Sequence, residues 1–502
     1  MDFIQNFPFF CIIISLFTGP LSSVLKGKKV KYINTVMIFM MCVLNAFVFA
    51  YCIKTGESFV YRMGHFPAPW GNEIRASILE GGMALFFSVI MFFSVIAGRI
   101  ETAAEVEESK QNLYYAMINL LMCSLIALVY TNDLFTAYVF VEINTISACG
   151  LIMIRQRGRN AYAATRYMVM SLLGSGLLLL GLCWLYGITG QLLMSNIKEA
   201  VTNLVATGAY NTPLLISICL MVVGLCIKCA LFPFHTWLPD AYGYSTLSSA
   251  AILSSLVSKG YLFILIKIIY RVFGFDVIVN DKMINVLFMF GIVGMIIGSL
   301  DAIRENDIRR MIAYSSIAQI GYIFMGIGLG TTNGMIASIY HILVHAATKS
   351  LLFIAASGLT DTSCGKRDFL SLTGSGYRNK LAGFTFTVGS MSMIGFPAFA
   401  GFISKLLFAQ AGVESAHKML LTFLALAIST ILNAVYFMKT VIRIYTPAKR
   451  LHVDETGYTH LTVSSQPSKS IAMAVLIVIN FVLGLASDPI VNLIQKGLEM
   501  FA

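Results

Sequence analysis

Long apolar runs alternate with short polar stretches along this chain. The apolar runs are near the roughly 20 residues that a helix needs to cross a bilayer. Such runs satisfy their backbone hydrogen bonds in lipid only as helices, whereas a β-barrel shows short alternating segments. The pattern predicts an all-α polytopic membrane protein with fourteen transmembrane helices. We number the runs as segments 1 to 14: 8–25, 33–54, 82–99, 113–130, 133–154, 164–187, 213–233, 246–270, 284–303, 308–330, 334–357, 382–409, 418–445 and 469–487.

Composition supports this class. Of the 502 residues, 58% are hydrophobic and 12% are charged, whereas soluble proteins carry about a quarter of charged residues. No basic stretch precedes segment 1, so we interpret it as a retained helix and not as a signal peptide. Most of the ten cysteines fall within apolar segments. We therefore expect small apolar fillers, including the Cys226 and Cys229 pair, and not disulfides or a metal site.

The basic residues predict the orientation of the chain. Most of the 35 lysines and arginines lie in loops that follow odd-numbered segments. The positive-inside rule places these loops in the cytoplasm and both termini outside, in a multi-pass protein of the cell membrane. The same rule accounts for the net charge of +11, so we expect lipid contacts and no nucleic acid partner.

The spacing of the segments predicts an internal repeat. Segments 4 to 8 and segments 9 to 13 begin at a nearly constant offset. Five is an odd number, so the second copy must be inverted, as in transporters. The predicted divisions are an N-terminal three-helix part, the first repeat, the second repeat, and a C-terminal loop with helix 14: residues 1–112, 113–270, 271–445 and 446–502.

Segments 7 and 12 hold matching places in the two repeats, and both are predicted to be broken. Pro233 and Pro239 interrupt the first, and Pro397 lies within GFPAFAGF in the second. Proline removes a backbone donor and clashes with the preceding turn. Broken helices at matching positions indicate an ion path, because their freed backbone groups must face water or protein.

Ionisable residues inside the apolar segments are the main functional signal. Segment 7 carries Lys228 and segment 5 carries Glu142, and His341 and His345 lie four residues apart in segment 11. Charge in hydrocarbon is costly and marks ion or proton pathways. Two histidines at this spacing share one helical face, and an imidazole titrates near neutrality.

Four stretches resemble the antiporter-like subunits of respiratory complex I, of Mrp-type cation/proton antiporters and of membrane-bound hydrogenases. They are IKCALFPFHTWLPDAY, ENDIRRMIAYSSIAQIGYIFMGIG, YHILVHAATKSLLFIAASG and GFPAFAGFISK. The resemblance covers segments 3 to 13. The early stretch YRMGHFPAPWGNEI is similar to the D-type Mrp subunit. One departure follows LPDA, where YGYSTLSS replaces the histidine-rich turn that is frequent in the family.

The resemblance implies a proton pathway through named positions. It pairs the segment-5 glutamate with the segment-7 lysine and continues through the lysine of segment 8 to the second half. The implied pathway residues are Glu142, Lys228, Lys259, His341, His345, Lys349 and Lys405, with His235 as a further candidate.

A physical argument supports the same pathway. A lysine in water has a pKa near 10.4, burial lowers this value by as much as 3–5 units, and a nearby carboxylate raises it again. Movement of Glu142 relative to Lys228 would therefore switch the lysine between holding and releasing a proton. We expect Lys267 and Lys439, near helix ends, to reach the interface, His235 to form a local hydrogen bond or carry protons, and Asp133 to cap a helix.

The chain has no GxxxxGK[ST] nucleotide loop and no iron–sulfur spacing of cysteines. We therefore expect no cofactor in this chain and an energy supply from partner subunits. The expected partners are other membrane subunits of the same assembly, peripheral iron–sulfur or hydrogenase subunits, and lipid. The sequence leaves open whether the assembly is an oxidoreductase or a cation/proton antiporter. Alternatives are a Na⁺/H⁺ antiporter subunit, a structural subunit without transport, and a quinone-binding subunit.

Overall fold

The computed structural model describes residues 3–25, 27–66, 71–208, 210–280, 283–447 and 457–501. The described chain is almost entirely helical, as the hydropathy pattern predicts. Of the basic loop residues that set the predicted orientation, Lys26, Lys449 and Arg450 lie outside the described residues. So do residues 67–70, which belong to the stretch that is similar to the D-type Mrp subunit.

The first half of the chain contains thirteen α-helices in its described part. Two π-helical turns, Leu253–Val257 and Ile269–Phe273, continue α11 and α12. The helices are α1 Phe7–Val24, α2 Lys28–Thr55, α3 Ile78–Ala97, α4 Arg99–Glu105, α5 Gln111–Tyr130, α6 Leu134–Met153, α7 Gly158–Thr189, α8 Met194–Thr207, α9 Asn211–Cys229, α10 Leu238–Tyr244, α11 Leu247–Ile252, α12 Ser258–Ile268 and α13 Phe275–Asn280.

The second half contains nine α-helices in its described part. They are α14 Met283–Arg304, α15 Ile308–Gly328, α16 Thr332–Asp361, α17 Ser375–Arg378, α18 Lys380–Ile394, α19 Ala400–Glu414, α20 Met419–Ile444, α21 Pro467–Leu485 and α22 Ser487–Glu499.

Among the described residues, 13 helices are long and apolar enough to cross a membrane. They correspond to every predicted segment except segment 12, which is divided into α18 and α19 of 15 residues each. The polytopic all-α class is therefore confirmed, while the count of fourteen crossings stays a prediction.

Segments 7 and 12 are both interrupted. In segment 7, α9 ends at Cys229, Ala230 has a left-handed backbone, and the Phe232–Pro233 peptide bond is cis. A short 3₁₀ turn then leads to α10. In segment 12, α18 ends at Ile394 and is capped by Gly395, whose φ of 89° favours glycine. Helix α19 begins at Ala400.

The centre of the molecule is the run from Leu247 to Phe273, in which every residue is buried. Helices α15 and α16 pack beside it and are also almost wholly buried. Helices α1, α2, α7, α14 and α20 expose large apolar side chains instead, as expected of surfaces that face lipid or other membrane proteins. The segments that carry the most ionisable residues are thus the innermost ones.

A two-stranded antiparallel sheet precedes α3 and was not predicted. Strand β1 Phe59–Arg62 pairs with β2 Glu73–Ala76, with Phe59 opposite Ala76. Ser77 and Glu80 then form a capping box at the start of α3, which satisfies two backbone donors. Asp133 precedes α6, and its carboxylate accepts a 2.6 Å hydrogen bond from the Thr136 amide, so the predicted cap is confirmed.

Candidate functional site

Most of the predicted pathway residues lie deep in the molecule. Lys228 on α9, Lys259 on α12 and Lys349 on α16 are at most 1% exposed. His341 and His345, also on α16, are buried as well, and Lys405 on α19 is half-buried. We call these six residues the central line: Lys228, Lys259, His341, His345, Lys349 and Lys405.

Lys228 begins the central line between α6 and α12. Its Nζ donates a 2.7 Å hydrogen bond to Thr145 Oγ1 on α6. The same ammonium lies 5.3 Å from the ring centre of Tyr261 on α12, within the range of a cation–π contact. The Tyr261 hydroxyl lies 3.3 Å from Thr145 Oγ1 and donates to Asn144 Oδ1 at 3.0 Å.

Glu142 lies three residues before Thr145 on the same helix and is half-buried. Its Oε1 is buried and has no hydrogen-bond partner among the described residues. The carboxylate is near enough to act electrostatically on Lys228, yet Lys228 bonds to Thr145. The ion pair that the resemblance implies is therefore open in this conformation, and the two groups must move toward each other to close it.

Lys259 continues the line at the centre of the molecule. Its Nζ donates to the Ser254 carbonyl and, at 3.3 Å, to Ser258 Oγ. The turn Leu253–Val257 is π-helical and departs from the usual i to i+4 hydrogen-bond pattern. In this local geometry the Ser254 carbonyl faces the ammonium of Lys259, five residues later in the chain.

Three pathway residues follow one another on successive turns of α16. Lys349 Nζ donates to the Ile312 carbonyl at 2.9 Å and to Ser315 Oγ, both on α15. His341 Nδ1 lies 2.6 Å from Ser404 Oγ on α19. The ring of His345 lies 6.0 Å from that of His341, and both of its nitrogens lack a hydrogen-bond partner among the described residues.

Lys405 ends the line at the break in segment 12. Its Nζ donates to the carbonyl of Ile394, the last residue of α18, at 2.6 Å, and to Thr430 Oγ1 on α20 at 2.8 Å. The ring centre of Tyr322 on α15 lies 5.6 Å from the Lys405 ammonium, and this ring stacks on His341. Lys405 of α19 thus caps the C-terminal end of α18 by bonding to its last carbonyl.

The groups of the central line are close enough to interact with one another. Lys259 interacts electrostatically with His345 and Lys349, and Lys405 interacts with His341. Cys229, which is buried, lies near both Lys228 and Lys259. These interactions give the order Lys228, Lys259, the α16 residues and Lys405, and their role in a proton pathway stays a prediction.

Residues 131–432, which contain Glu142 and the whole central line, match the family described as "NADH:quinone oxidoreductase/Mrp antiporter, TM". The chain belongs to this family. NADH-quinone oxidoreductase subunit N of Desulforudis audaxviator is 32% identical over 448 residues, which cover 88% of this chain and 86% of that protein. The predicted family is therefore confirmed.

Two solved structures have the same fold as this antiporter-family chain. One is the Mrp complex from Dietzia sp. DQ12-45-1b, with a TM-score of 0.86 at 21% identity. The other is the membrane-bound sulfane sulfur reductase, an archaeal respiratory membrane complex, with a TM-score of 0.85 at 25% identity. Each comparison covers 99% of this chain and 97% of the solved chain. Both solved chains are parts of membrane complexes.

Sequence reasoning missed the hydroxyl partners in this antiporter-family site. Each lysine of the central line donates to one serine or threonine hydroxyl, and three of them also donate to a backbone carbonyl. The hydroxyls come from four different helices, and only Ser258 is a sequence neighbour of its lysine. Thr145, one helical turn from Glu142, and Ser258, next to Lys259, carried a local signal. The hydroxyl partners are Thr145, Ser258, Ser315 and Thr430.

Lys267 was wrongly predicted to reach the interface. It is fully buried, and its Nζ donates to the carbonyls of Val129, at 2.9 Å, and Thr131. These carbonyls belong to the C-terminal end of α5, where helical carbonyls lack intrahelical partners. The lysine therefore caps a neighbouring helix. Lys439 is exposed, and its position at the membrane interface stays a prediction.

His235 lies apart from the central line. It follows the break in segment 7, is 8% exposed and stacks on Phe232 at 5.5 Å between ring centres. Its Nδ1 has no hydrogen-bond partner among the described residues, and Asp301 on α14 is close enough to interact electrostatically. These contacts connect it with the broken helix and α14.

Proposed function

We propose that this chain translocates protons within a multisubunit membrane assembly, driven by redox chemistry or by cation gradients in partner subunits. The central line carries this proposal, because five of its six residues are buried in the interior and neighbouring groups along it interact electrostatically. Ionisable groups at such depth are costly and serve ion or proton pathways. The assembly is either a proton-translocating oxidoreductase or a cation/proton antiporter.

Each ammonium of the central line has neutral hydroxyl or carbonyl acceptors, and within the described part of the chain only Lys228 also interacts with a carboxylate. Hydroxyls both donate and accept hydrogen bonds, so these partners suit a lysine that alternates between its charged and neutral forms. The two unpartnered nitrogens of His345 are a place where ordered water would bond. Water there would connect Lys259 with His341 and Lys405.

The switch in this mechanism is the pair of Glu142 and Lys228. In the open arrangement Thr145 holds the ammonium, and Glu142 Oε1 has no hydrogen-bond partner among the described residues. Closing the pair would stabilise the proton on Lys228, and opening it would release that proton toward Lys259. A neighbouring subunit that moves α6 could thereby drive the proton along the line.

The finer architecture belongs to the same proposal. Helices α18 and α19 together form the fourteenth crossing, and residues 113–270 and 271–445 form two inverted repeats of five helices. The two breaks support this, because each has a lysine of the central line beside it. Lys228 lies one residue before the end of α9, and Lys405 bonds to the end of α18. The termini lie outside, and peripheral iron–sulfur or hydrogenase subunits are further partners.

The main alternative is a subunit that handles sodium directly. Sodium prefers a compact cage of carboxylate and carbonyl oxygens, whereas the central line consists of lysines and histidines. In this proposal any sodium path lies in a partner subunit. The second alternative is a structural subunit, which has no need for buried lysines that lack ion-pair partners.

Transport by the purified assembly in sealed vesicles tests the proposal. A pH-sensitive dye inside the vesicles should report proton movement that an uncoupler abolishes. When redox chemistry drives the assay, this movement should continue after sodium is omitted. Transport that requires sodium and moves no protons would contradict it. Assembled Lys228→Met and Lys405→Met variants that transport at the parental rate would support the structural alternative.

A further inference from the structure

A large polar cavity lies on the side of the molecule that carries most of the basic loops. Its volume is about 930 Å³, and it is formed by α4, the starts of α7 and α15, and the ends of α10 and α16. The central line does not reach this cavity. Arginine is the most frequent lining residue, with Arg155, Arg157, Arg159, Arg309 and Arg367.

Three of these arginines converge on the end of α10. Arg367 Nη1 donates to the Gly243 carbonyl at 2.7 Å, Arg155 Nη1 to Tyr244 at 3.2 Å, and Arg309 Nη1 to Ser245 at 3.4 Å. The C-terminal carbonyls of a helix attract cations. However, the end of the short helix α10 offers each of these three guanidinium groups only one backbone carbonyl.

Arg309 is the least satisfied of the three. It is 3% exposed, its Nε has no hydrogen-bond partner and it takes part in no ion pair among the described residues. Arg155 also has a buried Nε without a partner there. Arg309, together with burial, lowers the pKa of Arg367 to about 9. The carboxylates of Asp307 and Glu105 offset this repulsion between guanidinium groups only in part.

The carboxylates that line the same cavity already have other partners. Glu101 and Asp361 bind Lys469, Glu105 pairs with Arg155 at 3.3 Å, and Glu305 pairs with Arg310 at 2.8 Å. Asp307 and Asp368 accept backbone amides at 2.8 and 2.9 Å. Arg309 and Arg367 therefore remain without a carboxylate within ion-pair distance among the described residues.

We propose that this cavity binds a phosphate-type oxyanion between Arg309, Arg367 and Arg155. A guanidinium fork matches phosphate oxygens in shape and charge. The ligand is either the headgroup of an anionic phospholipid, which the predicted cytoplasmic leaflet would supply, or free phosphate. The bound anion holds together three arginines that themselves hold the end of α10, and it thereby fixes the second half of the broken segment 7.

Binding to the purified assembly tests the site independently of transport. The probes are phosphatidylglycerol, measured by native mass spectrometry of the detergent-solubilised assembly, and inorganic phosphate, measured by titration calorimetry. Arg309→Gln and Arg367→Gln should weaken binding at least tenfold. Arg304→Gln is the matched control, because Arg304 is exposed at the end of α14 and does not line the cavity.

Each result decides for or against the site. Retention of phosphatidylglycerol alone identifies a lipid headgroup, and binding of phosphate alone identifies the free anion. Binding of neither probe, or equal loss in Arg304→Gln, would overturn the proposal. If Arg309→Gln does not assemble, Arg367→Gln still decides, because Arg367 lies in a loop. Loss of proton transport with intact anion binding would contradict the proposed function and leave this site standing.

Discussion

At the scale of single residues, the lysines of the central line share one kind of surrounding. Each ammonium is held by a hydroxyl from its own or a neighbouring helix. Among these lysines, only Lys228 interacts electrostatically with a carboxylate of the described residues. A hydrogen bond to a charged group contributes about 1.5–3 kcal/mol. The hydroxyls therefore hold each lysine in place without fixing its charge, as a group that must both take up and release protons requires.

Thr145→Val tests this arrangement at Lys228. The change keeps the shape of the side chain but removes the acceptor of the 2.7 Å bond. We expect proton transport in vesicles to fall about tenfold, which corresponds to the lower part of the range for a charged hydrogen bond. Lys228 would lose its position between α6 and α12.

Thr165→Val is the control for this change. Thr165 is exposed on α7 and makes the same kind of bond to the carbonyl four residues earlier, at 2.9 Å, as Thr145 does. It contacts no lysine of the central line. An equal decrease in both variants would refute a specific role of the Thr145 hydroxyl.

The sequence predicted the buried charges but not their partners. A lysine within an apolar segment is visible in any single chain, so Lys228, Lys259 and Lys405 could be named. Ser315 and Thr430 could not, because they meet their lysines only through helix packing. Lys267 was misjudged because position along a segment does not show which neighbouring helix end lies beside it.

At the scale of elements, breaks and close helix contacts position the central line. Helices α7 and α9 approach so closely that a Cβ at Gly174 would lie 2.7 Å from the Gly224 carbonyl and 3.1 Å from Lys228 Cγ. Glycine at this crossing thus allows the stem of Lys228 to pass between the helices. Hydropathy located these helices to within a few residues, because length and apolarity alone determine them.

Gly174→Ala should destabilise this contact. An added methyl group in a tightly packed site costs about 1–3 kcal/mol, and backbone atoms cannot easily move aside. We expect a lower midpoint of thermal unfolding for the detergent-solubilised assembly, together with slower transport.

Gly176→Ala is the matched control two residues away. A Cβ there meets nothing within 4 Å, and alanine is favoured over glycine in a helix interior by about 0.5–1 kcal/mol. The midpoint should stay the same or rise slightly. A comparable decrease of the midpoint in both variants would contradict a specific effect of the contact between α7 and α9.

The elements that the sequence did not predict are short or amphipathic. Strands β1 and β2 have four residues each, and α8 and α22 lie outside the apolar segments. Hydropathy detects continuous apolar runs and therefore passes over such elements. The break in segment 12 was predictable because a glycine and a proline mark it locally.

At the scale of the whole molecule, the distribution of charge predicts orientation. Cys364 lies in the loop after α16 and is exposed. A membrane-impermeant maleimide should label it in inverted vesicles and not in right-side-out vesicles. Lys496→Cys in a Cys364→Ser background should give the opposite pattern, because exposed Lys496 lies on the C-terminal helix α22. Labelling of both positions from one side would contradict the predicted topology.

The most direct test of the proton pathway is transport by an assembled Lys259→Met variant. Lys259 lies at the centre of the line, and methionine fills a similar volume without a proton-carrying group. Proton movement into sealed vesicles, followed with a pH-sensitive dye, should fall by about 10²-fold, the lower end of what a positioned proton-transfer group contributes. Lys439→Met, at an exposed position on α20, should transport normally. Transport at the parental rate by a fully assembled Lys259→Met variant would contradict the account.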